Sequence, residues 1–300
     1  MTTTPFPAPG TVRATSAPTR PALLTALTAT RSTYLRRPVV WTLVGVWLLQ
    51  VVVFAYLVNA LVYSGDPSDP VMSDVVRNLR GDAAATWPLA SMPMYGAPVF
   101  TLLGALAAGS PFRYGTLRVV VPRAGGRMPV VLASWLCVAA LSVVVGILTM
   151  VASVATSAAL AGVVDRPVSV PTVGELAAGA GAGALIVLAL ASLGFVLALV
   201  ARSVLVGVVV GVGWVIGVEV LLLSMLSPVA GWVDALRGVL PAGASGSVAA
   251  GVGVGPELAL ASTVGVTELL PVTASLLVLG GWTAACVVVA VMVFQRRDLR

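Results

Sequence analysis

Two places in this chain carry side chains that could do more than fill an apolar phase. The first is Gly109-Ser110-Pro111-Phe112-Arg113-Tyr114-Gly115-Thr116-Leu117-Arg118, continuing through Pro122 and Arg123 to Arg127, between two long apolar stretches. Arg113, Arg118, Arg123 and Arg127 fall in this hinge and no acid does. Ser110 is a good helix N-cap, and Pro111 suits the first helical position, where a missing N–H costs nothing. Pro122 would stop that helix near Val121. A helix of ~10 residues is marginal alone in water, so this one needs a surface to pack on. A solvated basic turn that only fixes topology accounts for the same spacing. The second place is Glu219, in Val218-Glu219-Val220-Leu221. A carboxylate at mid-membrane costs ~2.5–3.5 kcal/mol on insertion scales. It should therefore face a helix bundle, as a substrate-path contact, a proton-coupling acid or a polar clamp. No intramembrane Arg is placed to pair with it.

Much other chemistry is missing. The 17 basic residues are all Arg, and there is no His. Without Lys the phosphate-cradling G-x-x-x-x-G-K-[ST] loop cannot be built, so the chain does not hydrolyse ATP by that route. Schiff-base chemistry also goes. Without His there is no Ser-His triad, imidazole zinc site or imidazole proton relay. Cys137 and Cys286 fall inside apolar runs, where a small buried hydrophobe is the default. The chain is expected to be non-catalytic, with no cofactor and no metal.

Composition sets the class. Hydrophobic residues make up 59% and charged residues 9% of the 300, with mean hydropathy +1.05. No soluble fold of this size hides so much apolar surface behind so little charge. Six segments reach the ~20 residues needed to cross a ~30 Å hydrocarbon core as helices. They are 39–63, 87–109, 130–155, 176–200, 204–226 and 271–294. The second is the weakest, since Pro88, Pro93 and Pro98 interrupt it. None shows the period-2 alternation of a barrel strand. The expected fold is an all-α integral membrane domain of six spans over residues 39–300.

Orientation follows from arginine placement. Thirteen arginines (Arg13, Arg20, Arg31, Arg36, Arg37, Arg113, Arg118, Arg123, Arg127, Arg202, Arg296, Arg297 and Arg300) fall on one side of this topology. Arg77, Arg80, Arg166 and Arg237 fall on the other, with nine of the 11 acids; Glu219 lies within a span and Asp298 on the arginine side. The positive-inside rule puts both termini and the hinge in the cytoplasm. The net charge of +6 thus reports topology, and nucleic acid is not an expected partner. The absence of Lys beside abundant Ala, Val, Gly and Arg points to a GC-rich bacterium.

Residues 1–20 are Thr/Pro-rich with little to bury and read as a disordered leader. Over 21–38, Leu23, Leu24, Leu27, Tyr34 and Leu35 recur at roughly helical spacing beside arginines, which predicts an amphipathic helix in the cytoplasmic interface. Two extracytoplasmic segments, 64–85 and 227–270, are long enough for structure. The first offers Val75, Val76 and Leu79 for a short surface helix. The second is too apolar for a solvated loop, and Pro228, Pro241 and Pro256 forbid a clean span, so a re-entrant or interfacial helix pair is expected. Gly207-x-x-x-Gly211 and Gly213-x-x-x-Gly217 in the fifth span permit close helix approach, within the chain or against a second subunit. Trp41, Trp87 and Trp232 sit where interfacial belt anchors belong.

The hinge also carries a resemblance. Phe112-Arg113-Tyr114-Gly115-Thr116-Leu117-Arg118, directly after an apolar span, resembles the type-2 ATP-binding-cassette (ABC) exporter permeases, whose second span ends in Glu-aromatic-Arg-x-Gly-Thr-Leu-Arg. Pro122-Arg123-Ala124-Gly125-Gly126-Arg127 looks like their turn into the third span. Ser192-Leu193-Gly194-Phe195 leading to Ala201-Arg202-Ser203, Leu236-Arg237-Gly238-Val239-Leu240-Pro241 and the terminal Phe294-Gln295-Arg296-Arg297-Asp298-Leu299 add to it in order. Pro111 stands where the family has its acid. The resemblance implies a permease subunit without ATPase sites, paired with a second permease subunit, identical or not, and docked on a cytoplasmic ATP-binding subunit. It also implies a coupling helix over 110–121 with Phe112 and Tyr114 as apolar knobs and Arg113 and Arg118 as ionic contacts. The cargo would be a drug, lipid, antibiotic or peptide moved across the plasma membrane. Two other readings stay open: a self-contained secondary transporter using Glu219, and a membrane scaffold or immunity protein.

Overall fold

The computed structural model describes residues 22–62, 79–113, 115, 121–122, 126–162, 169–254 and 265–296. Among these every regular element is a helix. Six helices are long and apolar enough to cross a membrane, which makes this a multi-pass membrane protein. A short helix precedes them, α1 (Ala22–Leu35). The first three spans are α2 (Pro38–Leu61), α3 (Trp87–Phe112) and α4 (Arg127–Leu160). Next come α5 (Val173–Ala201) and α6 (Val204–Leu226). Two short helices, α7 (Trp232–Gly238) and α8 (Pro241–Ala249), lead to the last span, α9 (Val272–Arg296).

Local chemistry explains the boundaries. Thr172 accepts from the Glu175 N–H while the Glu175 carboxylate accepts from the Thr172 N–H, a capping box that starts α5. Arg202 takes a left-handed conformation at φ 54° and closes that helix. One residue later the Ser203 hydroxyl caps α6. At the start of α3, Pro88 occupies the first turn, where its missing N–H is harmless. Pro93 falls in a π-wound stretch, Met92–Gly96, that carries the helix past it. The 34 residues of α4 amount to ~51 Å at ~1.5 Å each, longer than the ~30 Å core. Toward residue 160 the helix therefore projects beyond the apolar layer or tilts within it.

Helices α3 and α5 form the centre. Of each one's most apolar window 67% is buried within the chain, against 28% for α6 and 22% for α9. Two glycines set the α3–α5 seam. A Cβ on Gly104 would lie 1.7 Å from the Ala191 carbonyl oxygen, and one on Gly194 would lie 2.0 Å from that of Thr101. No side chain fits at either point, and the backbones meet there.

Polar groups pin α2 to α4, and α4 to the central α5. The Trp47 indole donates to Thr149 Oγ1 at 2.9 Å, joining α2 to α4. The Tyr56 hydroxyl bonds Ser153 Oγ, which donates to the Ala84 carbonyl at 2.6 Å. Trp135 Nε1 donates to Ser192 Oγ at 3.0 Å, joining α4 to α5. Each such bond is worth ~0.6 kcal/mol on average within a membrane, and together they fix helix rotation.

Several expectations change. No helix starts at Ser110: α3 runs straight through it, Ser110 is buried at 3% exposure, and Pro111 lies inside the helix. A proline there forfeits one N–H···O bond. The continued helix carries Phe112 onto the core, a contact that a break at Ser110 would lose. Trp87 is not a belt anchor, because it is buried and its indole donates to the Ala55 carbonyl at 2.8 Å. Trp41 and Trp232 are exposed, at 47% and 67%. Val75 and Val76 lie outside the described residues, whereas Leu79 is buried. The 227–270 segment holds two short helices, α7 and α8, and most of α8 is buried.

Candidate functional site

The hinge has well-defined roots. Phe112 is half-buried, and its ring meets Phe294 of α9 edge-to-face, centroids 6.2 Å apart at 81°. The Gly115 N–H donates to the Phe112 carbonyl at 3.3 Å in a turn whose φ of 63° suits glycine. On the return side Val121 is buried, and the Gly126 N–H donates to its carbonyl at 3.2 Å. Arg127 opens α4 and donates from Nη1 to the Gln295 carbonyl at 3.0 Å. Both roots of the hinge thus rest on Phe294 and Gln295, consecutive residues near the end of α9.

Of the coupling residues singled out in the sequence, Phe112 and Gly115 are therefore placed. The side chain of Arg113, and all of Tyr114, Thr116, Leu117 and Arg118, lie outside the described residues. Phe112 is an internal anchor here, with its ring turned to α9 instead of outward.

The glycines of α6 divide into two kinds. A Cβ on Gly207 would come within 2.7 Å of the Ala198 backbone, so α6 touches α5 there. One on Gly211 would make ordinary contact with Leu197 and Thr101. Among the described residues, a Cβ on Gly213 or Gly217 would meet nothing within 4 Å.

Glu219 sits in the π-wound stretch Gly213–Leu222 of α6 and is 3% exposed. Its Oε2 accepts from the Ala242 N–H at 2.7 Å. Ala242 is in the first turn of α8, whose N-cap, Leu240, has no side-chain acceptor to offer. The carboxylate of one helix therefore supplies the missing cap of another, at the positive end of its dipole. The indole of Trp214 also faces this carboxylate, but Oε1 has no well-placed hydrogen-bond partner among the described residues. Among those residues no group of three or more His, Cys, Asp or Glu is gathered as a metal would require.

Sequence reasoning missed three features of this region. They are the footing of the hinge on Phe294 and Gln295, the Glu219–Ala242 cap, and the bond from the Tyr34 hydroxyl of α1 to the Leu103 carbonyl of α3 at 2.8 Å. Burial pushes the Tyr34 phenol well above its ordinary range, so it stays a donor at any working pH. Only the missing N-cap at Leu240-Pro241, beside a lone intramembrane acid, gave a signal for any of them.

No family model matches this sequence, and no curated protein is significantly similar to it.

Proposed function

We propose that this protein is the membrane-spanning permease subunit of an ABC exporter. It would move a hydrophobic or amphipathic substrate across the plasma membrane of a GC-rich bacterium. A separate cytoplasmic subunit would hydrolyse the ATP, and a second permease subunit would complete the pathway. The observation that carries this reading is the Phe112–Arg118 motif at the end of α3, on a hinge whose two roots rest on one short stretch of α9. A push on such a hinge loads three spans at once: α3 through Phe112, α4 through Arg127, and α9 through both contacts. A turn that only reverses the chain has no need of that footing. Glu219 is used as a cap for α8, which favours the polar clamp over a proton-coupling acid and so the permease over a secondary transporter.

In this reading Tyr114 and Leu117 are the apolar contacts to the motor, and Arg113 and Arg118 the ionic ones. Phe112 transmits load within the chain. The test is affinity purification of the tagged full-length protein from its native membrane, with mass spectrometry of what accompanies it. A P-loop ATPase is the expected companion, and Leu117→Asp should lose it while leaving insertion of the chain intact. Recovery of the same ATPase with Leu117→Asp and with Tyr114→Asp would remove the docking role from this hinge.

A further inference from the structure

Where α2 passes α3, polar and aromatic groups lie open at a depth where lipid tails have nothing to offer the polar ones. Gln50 is midway along the 24 residues of α2 and is half-buried. One of its N–H groups donates from Nε2 to the Tyr95 carbonyl of α3 at 3.3 Å. Its other N–H and its carbonyl oxygen have no partner among the described residues, and neither has the Tyr95 hydroxyl. Tyr34 and Tyr56 differ: both are buried, and their hydroxyls bond the Leu103 carbonyl and Ser153. Hydrocarbon supplies no donor or acceptor, so an open amide at mid-depth requires a polar occupant.

The rings beside it set the shape of that occupant. Phe54 and Tyr95 are parallel to within 4°, their centroids 6.3 Å apart, and are 58% and 40% exposed. Together they make a flat, rigid surface that another planar ring covers in offset stacking. Both sit in π-wound stretches, Val51–Leu57 and Met92–Gly96, a winding that recurs at functional sites. Pro93 accounts for the second, whereas the first contains neither Pro nor Gly. Neither span carries a charged residue between Pro38 and Leu61 or between Trp87 and Phe112, so the polar group of the occupant is neutral. We propose that this face binds a planar aromatic molecule bearing a hydroxyl or amide, taken from the bilayer. Its ring lies on Phe54 and Tyr95, and its polar group bonds the Gln50 amide. That such a molecule is the cargo rests on the permease reading; that it binds here does not.

The full-length protein in phosphatidylcholine nanodiscs is dialysed to equilibrium against empty nanodiscs, without ATPase or ATP. The probes are 1-naphthol, naphthalene and decahydro-1-naphthol, and the excess on the protein side is read by gas chromatography. 1-Naphthol should be held about threefold over naphthalene, the effect of one hydrogen bond within a membrane. It should also exceed decahydro-1-naphthol, which keeps the hydroxyl and lacks the planar ring. Gln50→Leu should level 1-naphthol with naphthalene. Tyr95→Leu should level 1-naphthol with decahydro-1-naphthol, whereas Tyr95→Phe should keep the preference for the ring. Equal excess of all three probes on the unaltered protein would overturn the proposal, as would unchanged preferences in Gln50→Leu and Tyr95→Leu. So would a halved mass of the Tyr95→Leu protein in native mass spectrometry, because this face would then be a contact between two copies of the chain. Absence of the preference in a protein that still brings down its ATPase would end this proposal and leave the permease reading standing.

Discussion

Glu219 and helix α8 each lack what the other provides. The carboxylate needs a donor in a region without water, and the N-terminus of α8 needs an acceptor that Leu240 cannot supply. An amide retains an acceptor oxygen, so Glu219→Gln should leave thermal stability in detergent nearly unchanged. Leucine of similar bulk leaves the Ala242 N–H buried and unsatisfied, at a cost of ~1–3 kcal/mol. Glu219→Leu should therefore melt clearly below both the parent and Glu219→Gln. If the two substitutions melt together, the cap does not hold α8 and the acid is there for another reason. Burial of Glu219 could be expected from the sequence, since a charge in an apolar run must turn inward. Its partner was harder to read, because Ala242 advertises nothing as a side chain and only the uncapped Leu240-Pro241 start of α8 points to it.

At the scale of helices, glycine is needed in the tight α3–α5 seam and not on the open face of α6. Gly104→Ala drives a methyl into the Ala191 carbonyl, and overpacking of this kind costs ~1–3 kcal/mol. Gly217→Ala meets nothing and should gain from the better helix propensity of alanine. Thermal unfolding should thus rank Gly217→Ala at or above the parent and Gly104→Ala below it; the reverse order would mean that the seam is not where these helices meet. Hydropathy was enough to locate the spans. The 204–226 segment has the same limits in the structure as in the sequence, and 39–63 differs at its start by one residue. Capping chemistry written locally at Thr172 and Glu175 sets the true start of α5, three residues before 176. It misled at Ser110-Pro111, where the residues of a good helix start are overridden by packing of Phe112 on Phe294. The Gly104–Gly194 seam was hidden because it joins positions far apart in the chain, and Trp87 because position near a span end does not say which way an indole turns.

Taken whole, the molecule has a packed centre and two poorly covered flanks. Leu205, Val209 and Met225 of α6 are exposed at 73%, 61% and 77%, and Gly213 and Gly217 look outward among them. Such a surface suits lipid, and it is also where a second permease subunit would have room to approach closely. The basic hinge sits at one end, footed on α9. The proposed function requires that this end face the cytoplasm, where ATP and its motor are. The most direct measurement of that claim is accessibility at the hinge. The native Cys137 and Cys286 are buried, so Arg118→Cys offers a thiol with little background. A membrane-impermeant maleimide should label it in inside-out vesicles but not in intact cells, and the co-purifying ATPase should protect it. Labelling from the outside of intact cells would contradict the account, because no ATP-driven subunit could then reach the hinge.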